Sequence, residues 1–148
     1  MNNFAEEIKI LSEIKQPSDV RKLSNGELEV LCTEIRHVLI DTVASTGGHL
    51  ASNLGVVELT LALHRVLDLE QDQIVFDVGH QCYTHKLLTG RFEAFDTLRQ
   101  KDGVSGFPSP KESPYDSFIV GHSSTAVSAA CGIARAATLS GNGHYTVA

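Results

Sequence analysis

No internal repeat, low-complexity tract or long apolar run occurs in these 148 residues. An apolar stretch of about 20 residues, the length a membrane helix needs, is missing. No cationic-then-apolar leader follows Met1, so no secretory signal is expected. Positive charge is scarce as well. Twelve Lys and Arg against 18 Asp and Glu give a formal net charge of −6, which argues against nonspecific nucleic-acid binding. The three cysteines (Cys32, Cys82, Cys131) are odd in number, far apart and free of any CxxC spacing. That pattern reads as reduced thiols in a cytoplasmic protein, with neither a disulfide framework nor a zinc site. Cys82 adjoins the His80 loop, yet a small buried hydrophobe is the commoner role for it. No HExxH, His/Cys cluster or carboxylate pair appears, so no metal ligands are assigned in this chain.

What is present is organised around Asp72 to Lys86, DQIVFDVGHQCYTHK. The apolar run Ile74-Val75-Phe76 reads as a buried strand, 72–78, ending in Gly79 and His80. In α/β sheets ligands sit at the carboxyl ends of parallel strands, and Gly79 lets backbone approach a ligand closely. Two further stretches end alike: Gly47-Gly48-His49 and Gly121-His122-Ser123-Ser124. These three of the four Gly-His steps, at element boundaries, suggest one site assembled from three loops.

The remaining elements follow from periodicity. Phe4 to Ile14 reads as a short amphipathic helix, and Ser18 as the cap of one more turn after Pro17. Ser24-Asn25-Gly26-Glu27 has capping-box spacing. The helix it opens carries Leu28, Leu31, Ile35, Val38, Leu39 and Thr42 on one face, with charges opposite, and ends near Gly47-Gly48. GGHLASNLG reads as a loop, followed by a helix over 54–67 that is apolar almost all round and therefore buried. Helices are expected over 81–88 and, polar, over 92–100. Residues 101–116 hold three of the four prolines and read as a long loop, functional or mobile. Strand 117–120 leads into a helix, 124–137, of unusually small residues suited to close packing. A last strand, 144–148, stops without cap or polar tail, which reads as a truncated chain. Strands alternating with helices give an α/β fold with a mainly parallel sheet.

Each candidate site residue has a plain alternative. Gly121, His122 and Ser123 precede a helix whose N–H groups and dipole favour an anion; an ordinary Ser N-cap is the competing reading. His80 reads equally as a structural histidine or a site residue. His49 is either part of a flexible turn or a proton or hydrogen-bond donor to substrate. His64, His37 and His144 read as structural or solvated, and His85 and Lys86 as pairing with local groups.

Taken together, GGHLASNLGVVELTLALH, DQIVFDVGHQCYTHKLLTGR, TLRQKDGVSGFP and YDSFIVGHSSTAVSAACGIARA resemble the N-terminal region of the 1-deoxy-D-xylulose-5-phosphate synthase family. That family lies within the transketolase-like, thiamine-diphosphate-dependent class. The resemblance runs from about Asp19 to Ala148. It departs from the usual pattern at Asp102, where a second Gly is usual, and at Cys82, where a small residue is.

The resemblance implies that 1–148 is the N-terminal part of the first of three α/β domains, an incomplete thiamine-diphosphate-binding domain. It implies that pyruvate is decarboxylated and joined to glyceraldehyde 3-phosphate, the first step of non-mevalonate isoprenoid synthesis, which also feeds thiamine and pyridoxal synthesis. His80, Gly121, His122 and Ser123 match cofactor-binding positions, and His49 and His80 catalytic ones. Mg2+ ligands, and the glutamate that activates the aminopyrimidine, are expected downstream. The complete protein is expected to be a cytoplasmic homodimer, with the rest of the synthase supplied in cis or by a second chain, and this chain alone to be inactive. The N-terminal subunit of a split transketolase, and a non-catalytic homologue serving as an interaction module, are the competing readings.

Overall fold

The structure is a computed structural model that describes residues 8–148. The longest element begins at Ser24, where the expected capping box forms. The Glu27 carboxylate accepts from the Ser24 N–H at 2.8 Å, and the Ser24 hydroxyl accepts from the Glu27 N–H at 3.4 Å. Helix α2 then runs Asn25–Thr46 and ends at Gly47, whose φ of 76° favours glycine. Leu31, Ile35, Leu39 and Val43 bury its core face. Charges do not all lie opposite. Glu34 is only 4% exposed, and its carboxylate accepts the backbone N–H groups of Lys9, Ile10 and Leu11 at 2.9, 3.1 and 2.7 Å.

Of the helix expected over Phe4–Ile14, residues 4–7 lie outside the described range, and the described part carries a 3-10 turn, Leu11–Glu13. Helix α1, Pro17–Val20, starts at Gln16 and not at Ser18. Pro17 occupies the first helical position, and the Asp19 carboxylate accepts from the Gln16 N–H at 3.2 Å. The supposed loop after Gly48 contains a short helix, α3 (Leu50–Leu54), held by the buried Asn53. Helix α4 spans Val57–Val66. Its burial is one-sided. Val57, Thr60, Leu61 and His64 face the core, whereas Leu59 and Val66 are 60% and 79% exposed.

The sheet is small. Strand β1 (Gln73–Ile74) pairs in parallel with β2 (Thr146–Val147), in register Gln73 with Thr146 and Ile74 with Val147. The strands expected over 72–78 and 144–148 therefore shrink to short ladders. Residues 117–120 form no ladder, because only one backbone bond, Gly79 N–H to Gly121 O at 2.9 Å, ties that end to its neighbour. Val120 nevertheless packs on Val75, Ala126 and Ala130 in a second apolar cluster. Helices with a two-stranded parallel sheet make an incomplete α/β arrangement.

After β1 the chain turns through a 3-10 segment, Gly79–Cys82, into helix α5, Tyr83–Lys86, and a π turn, Leu87–Arg91. The polar helix expected over 92–100 is reduced to a 3-10 turn, Phe95–Thr97. Phe95 and Leu98 are fully buried anchors there; Leu98 leaves the turn with ψ 127°, and Arg99 follows at a left-handed φ of 62°. Asp102 sits at φ 60°, a left-handed conformation that Asp tolerates better than most residues.

Residues 101–116 form neither helix nor strand, yet Val104, Ser113 and Asp116 are buried. Helix α6 spans Ala126–Leu139. Its small residues do not all mediate close packing: a Cβ added to Gly132 would meet nothing within 4 Å. Among the described residues no helix is long and apolar enough to cross a membrane.

Candidate functional site

His49 precedes α3 and His80 lies in the 3-10 turn after β1. Their imidazoles stack, with centroids 3.8 Å apart and planes 20° from parallel. Two of those three Gly-His steps thus meet. The third is close enough to be felt electrically. Burial pushes the His80 pKa down from its ordinary value, and positive charge on His49 or His122 pushes it further the same way. A neutral His80 is the consequence at neutral pH.

The backbone under these rings is fixed by one amide. Asn53 Nδ2 donates to His49 O at 2.7 Å and to His80 O at 2.8 Å, while its Oδ1 accepts the Tyr83 N–H at 3.1 Å. Glycine is required where the strand end passes 120–121. A Cβ on Gly79 would lie 2.0 Å from Val120 O.

Gly121, His122 and Ser123 are all exposed at the mouth of α6. No serine side chain caps that helix. Asp77 does so from the end of the β1 segment, its Oδ1 accepting the N–H groups of Ser124 at 2.8 Å and Ala126 at 3.2 Å. The anion favoured by this helix end is thus, in part, the protein's own carboxylate. What remains open is the Gly121–Ser123 backbone, where a Cβ added at Gly121 would meet nothing within 4 Å. Three imidazoles, a serine hydroxyl and open glycine backbone make a set of hydrogen-bond donors near the end of α6. Among the described residues no group of three His, Cys, Asp or Glu could hold a metal ion.

Cys82 is fully buried, and burial pushes its thiol up to about 12, so it is a hydrophobe and not a nucleophile. Sequence reasoning missed a charge cluster in which His85, Lys86, Arg91 and Asp116 are buried and Glu112 is more open. His85 and Lys86 were expected to pair locally, but Lys86 and the Nε2 side of His85 find their partners in the 101–116 loop, and His85 Nδ1 meets His64. Lys86 Nζ lies 2.7 Å from Glu112, and Arg91 makes a two-pronged contact with Asp116 at 2.7 and 2.8 Å. Asp116 also accepts the Ser109 N–H at 2.7 Å, and Glu112 the Ser105 N–H at 2.7 Å. The loop is therefore anchored by charge. No local signal in the sequence marks the cluster, because its charges come from segments some twenty residues or more apart.

The family model described as 1-deoxy-D-xylulose-5-phosphate synthase matches residues 11–148. Relatives of that same name share high identity. The Syntrophotalea carbinolica protein is 64% identical over 127 residues, 86% of this chain and 20% of the relative. The Syntrophus aciditrophicus protein is 60% identical over 130 residues, 88% of this chain and 20% of the relative. The Dictyoglomus turgidum protein is 56% identical over 139 residues, 94% of this chain and 22% of the relative. The chain belongs to the 1-deoxy-D-xylulose-5-phosphate synthase family and corresponds to its N-terminal region. It spans about a fifth of the length of the curated relatives it matches.

Proposed function

We propose that this chain is the N-terminal part of a thiamine-diphosphate-binding domain in a synthase that joins pyruvate, with decarboxylation, to glyceraldehyde 3-phosphate. The observation that carries this reading is the stacking of His49 on His80, two histidines from separate loops, beside Gly121–Ser123. His80, His122, Ser123 and the Gly121 backbone would hold the cofactor. When bound, thiamine diphosphate supplies the carbon centre on which the acyl unit of pyruvate is carried to the acceptor aldehyde. His49, exposed at the rim and backed by His80, meets substrate and moves a proton at its imidazole. Mg2+ would complete the diphosphate site through residues supplied from the remaining length of the synthase. A cytoplasmic homodimer is the proposed working form.

The test is a hybrid in which residues 11–148 replace the matching segment of the Syntrophotalea carbinolica relative. In that hybrid His80→Ala and Ser123→Ala should weaken thiamine diphosphate binding by isothermal titration. His49→Ala should instead lower turnover more than cofactor affinity. Unchanged affinity in the first two variants would remove them from the site, and wild-type turnover in the third would end the proton-transfer role.

A further inference from the structure

We propose that Asn53 is a positioning residue: its single amide holds the His49 and His80 backbones together and so sets the stacked arrangement of their rings. For the ligand those rings meet, the proposal rests on the function proposed above; for the geometry it stands alone.

Asn53 is fully buried, at 0% exposure. Its Nδ2 has two protons, and both are used, on His49 O and His80 O. Oδ1 takes the Tyr83 N–H, at the start of the helix that follows His80. The amide orientation is not arbitrary. Rotated by half a turn, it would set its oxygen against two carbonyls and its NH2 against an N–H. Only one of the three bonds, to His49 O, is local to α3. The other two cross to the 80–83 turn, so the amide links two chain segments that are distant in sequence. The carbonyls it grips belong to the two residues whose rings stack at 3.8 Å. A second tie, from Gln81 Nε2 to Ser52 O, is longer at 3.2 Å and only part-buried.

No other side chain of similar volume does this. Aspartate lacks the two donors and would face both carbonyls with negative charge. Leucine has the shape but leaves two carbonyls and one N–H without partners. Glutamine carries the same amide one methylene further out, which moves it off the three groups that the fully buried Asn53 reaches. Loss of the amide frees the two loops to separate, and His80 then gains water and loses its neighbour. Its titration midpoint, lowered in the native arrangement by burial and by His49 and His122, should rise toward the free-histidine value near 6.5.

The experiment compares the 148-residue chain with Asn53→Leu and Asn53→Ala, both neutral so that no new charge perturbs His80. Diethyl pyrocarbonate, which modifies the neutral imidazole, is applied to dilute protein across pH 5 to 8. Mass spectrometry of peptides then gives the modification midpoint and rate for His49 and His80, and thermal melts report the fold. The expected result is a folded variant in which the His80 midpoint moves up and His80 is modified severalfold faster, while His144 is unchanged. A folded variant with an unaltered His80 midpoint and rate overturns the proposal. So does loss of folding in both variants, which would make Asn53 a residue of the fold and not of the site. Thiamine diphosphate titration of the wild-type hybrid is the separate arm. Absence of binding there defeats the proposed function and leaves the labelling result, and hence the role of Asn53, intact.

Discussion

His64 Nε2 and His85 Nδ1 lie 2.9 Å apart in the interior, and their surroundings fix where each proton sits. His85 Nε2 faces two acceptors, Tyr115 O at 3.2 Å and Asp116 Oδ1 at 3.2 Å, so it carries a proton. Neutral His85 then has only Nδ1 to offer as acceptor, and His64 must donate to it from Nε2. His64 Nδ1 is left buried without a hydrogen-bond partner among the described residues. Burial is the chief force pushing both pKa values down. The neighbouring Arg91 adds to it, and for His85 the Asp116 carboxylate opposes it.

Acid should therefore loosen this protein before its carboxylates titrate. Both histidines hold fewer protons folded than unfolded, because the unfolded chain protonates near 6.5. Stability is complete above that pH and declines as pH falls below it, toward the lowered folded values. The decline is at most about 1.4 kcal/mol per pH unit for each histidine. Hydrogen bonds from Arg91, His85 and Ser109 outweigh burial and hold the Asp116 carboxyl far below the usual range, so it adds nothing in this window. Thermal melts from pH 7 to pH 5.5 check this, with His64→Phe expected to show the shallower dependence. Equal slopes in the two proteins would rule the pair out as its source.

Arg91→Met should be among the costliest substitutions in the chain. It strips Asp116 of its two-pronged partner and Glu112 of a contact at 3.3 Å, leaving Asp116 with Lys86 at 3.6 Å, His85 at 3.2 Å and the Ser109 N–H. Breaking a buried pair costs about 3–5 kcal/mol. Urea titration should show that loss, and trypsin should cut faster at Lys101 and Lys111 as the loop comes free. A loss within experimental error would mean that the loop is held by its apolar residues alone.

The legible parts of this fold were those governed by local rules. The capping box at Ser24 and the glycine stop at Gly47 need only neighbours in sequence, and both form where the spacing placed them. The two-residue strands were overestimated because Ile74-Val75-Phe76 reports burial, whereas a ladder also needs a partner strand. Asn53, Glu34 and Arg91 were not legible for the opposite reason: each is polar, and its burial is set by backbone groups or charges far away in sequence. The meeting of His49 and His80 was anticipated from two Gly-His steps, but nothing local reveals the amide that joins them.

Glu34→Gln should release the N-terminal segment without unfolding α2. The carboxylate receives three backbone N–H groups, and an amide can accept with one oxygen only. Leaving buried donors unmatched costs about 1–3 kcal/mol. Amide hydrogen exchange should quicken at Lys9, Ile10 and Leu11 while α2 stays protected. Unchanged exchange at those three amides would show that the contact contributes no stability.

Gly79→Ala and Gly121→Ala should behave oppositely, although both glycines flank proposed site residues. At Gly79 the added methyl would stand 2.0 Å from Val120 O and 2.9 Å from Phe107 Cδ1. Backbone cannot yield as a flexible side chain can, so the segments must part, and the Gly79 N–H to Gly121 O bond at 2.9 Å breaks with them. Overpacking of this kind costs about 1–3 kcal/mol. It also moves His80 away from His122, so His80 should regain a higher titration midpoint along with the lower melting temperature. At Gly121 a methyl meets nothing within 4 Å, and the melting temperature should hold. Thermal melts and histidine labelling of both variants decide it. Equal melting temperatures for the two would mean that the close approach of residue 79 to residue 120 does not hold the loops together.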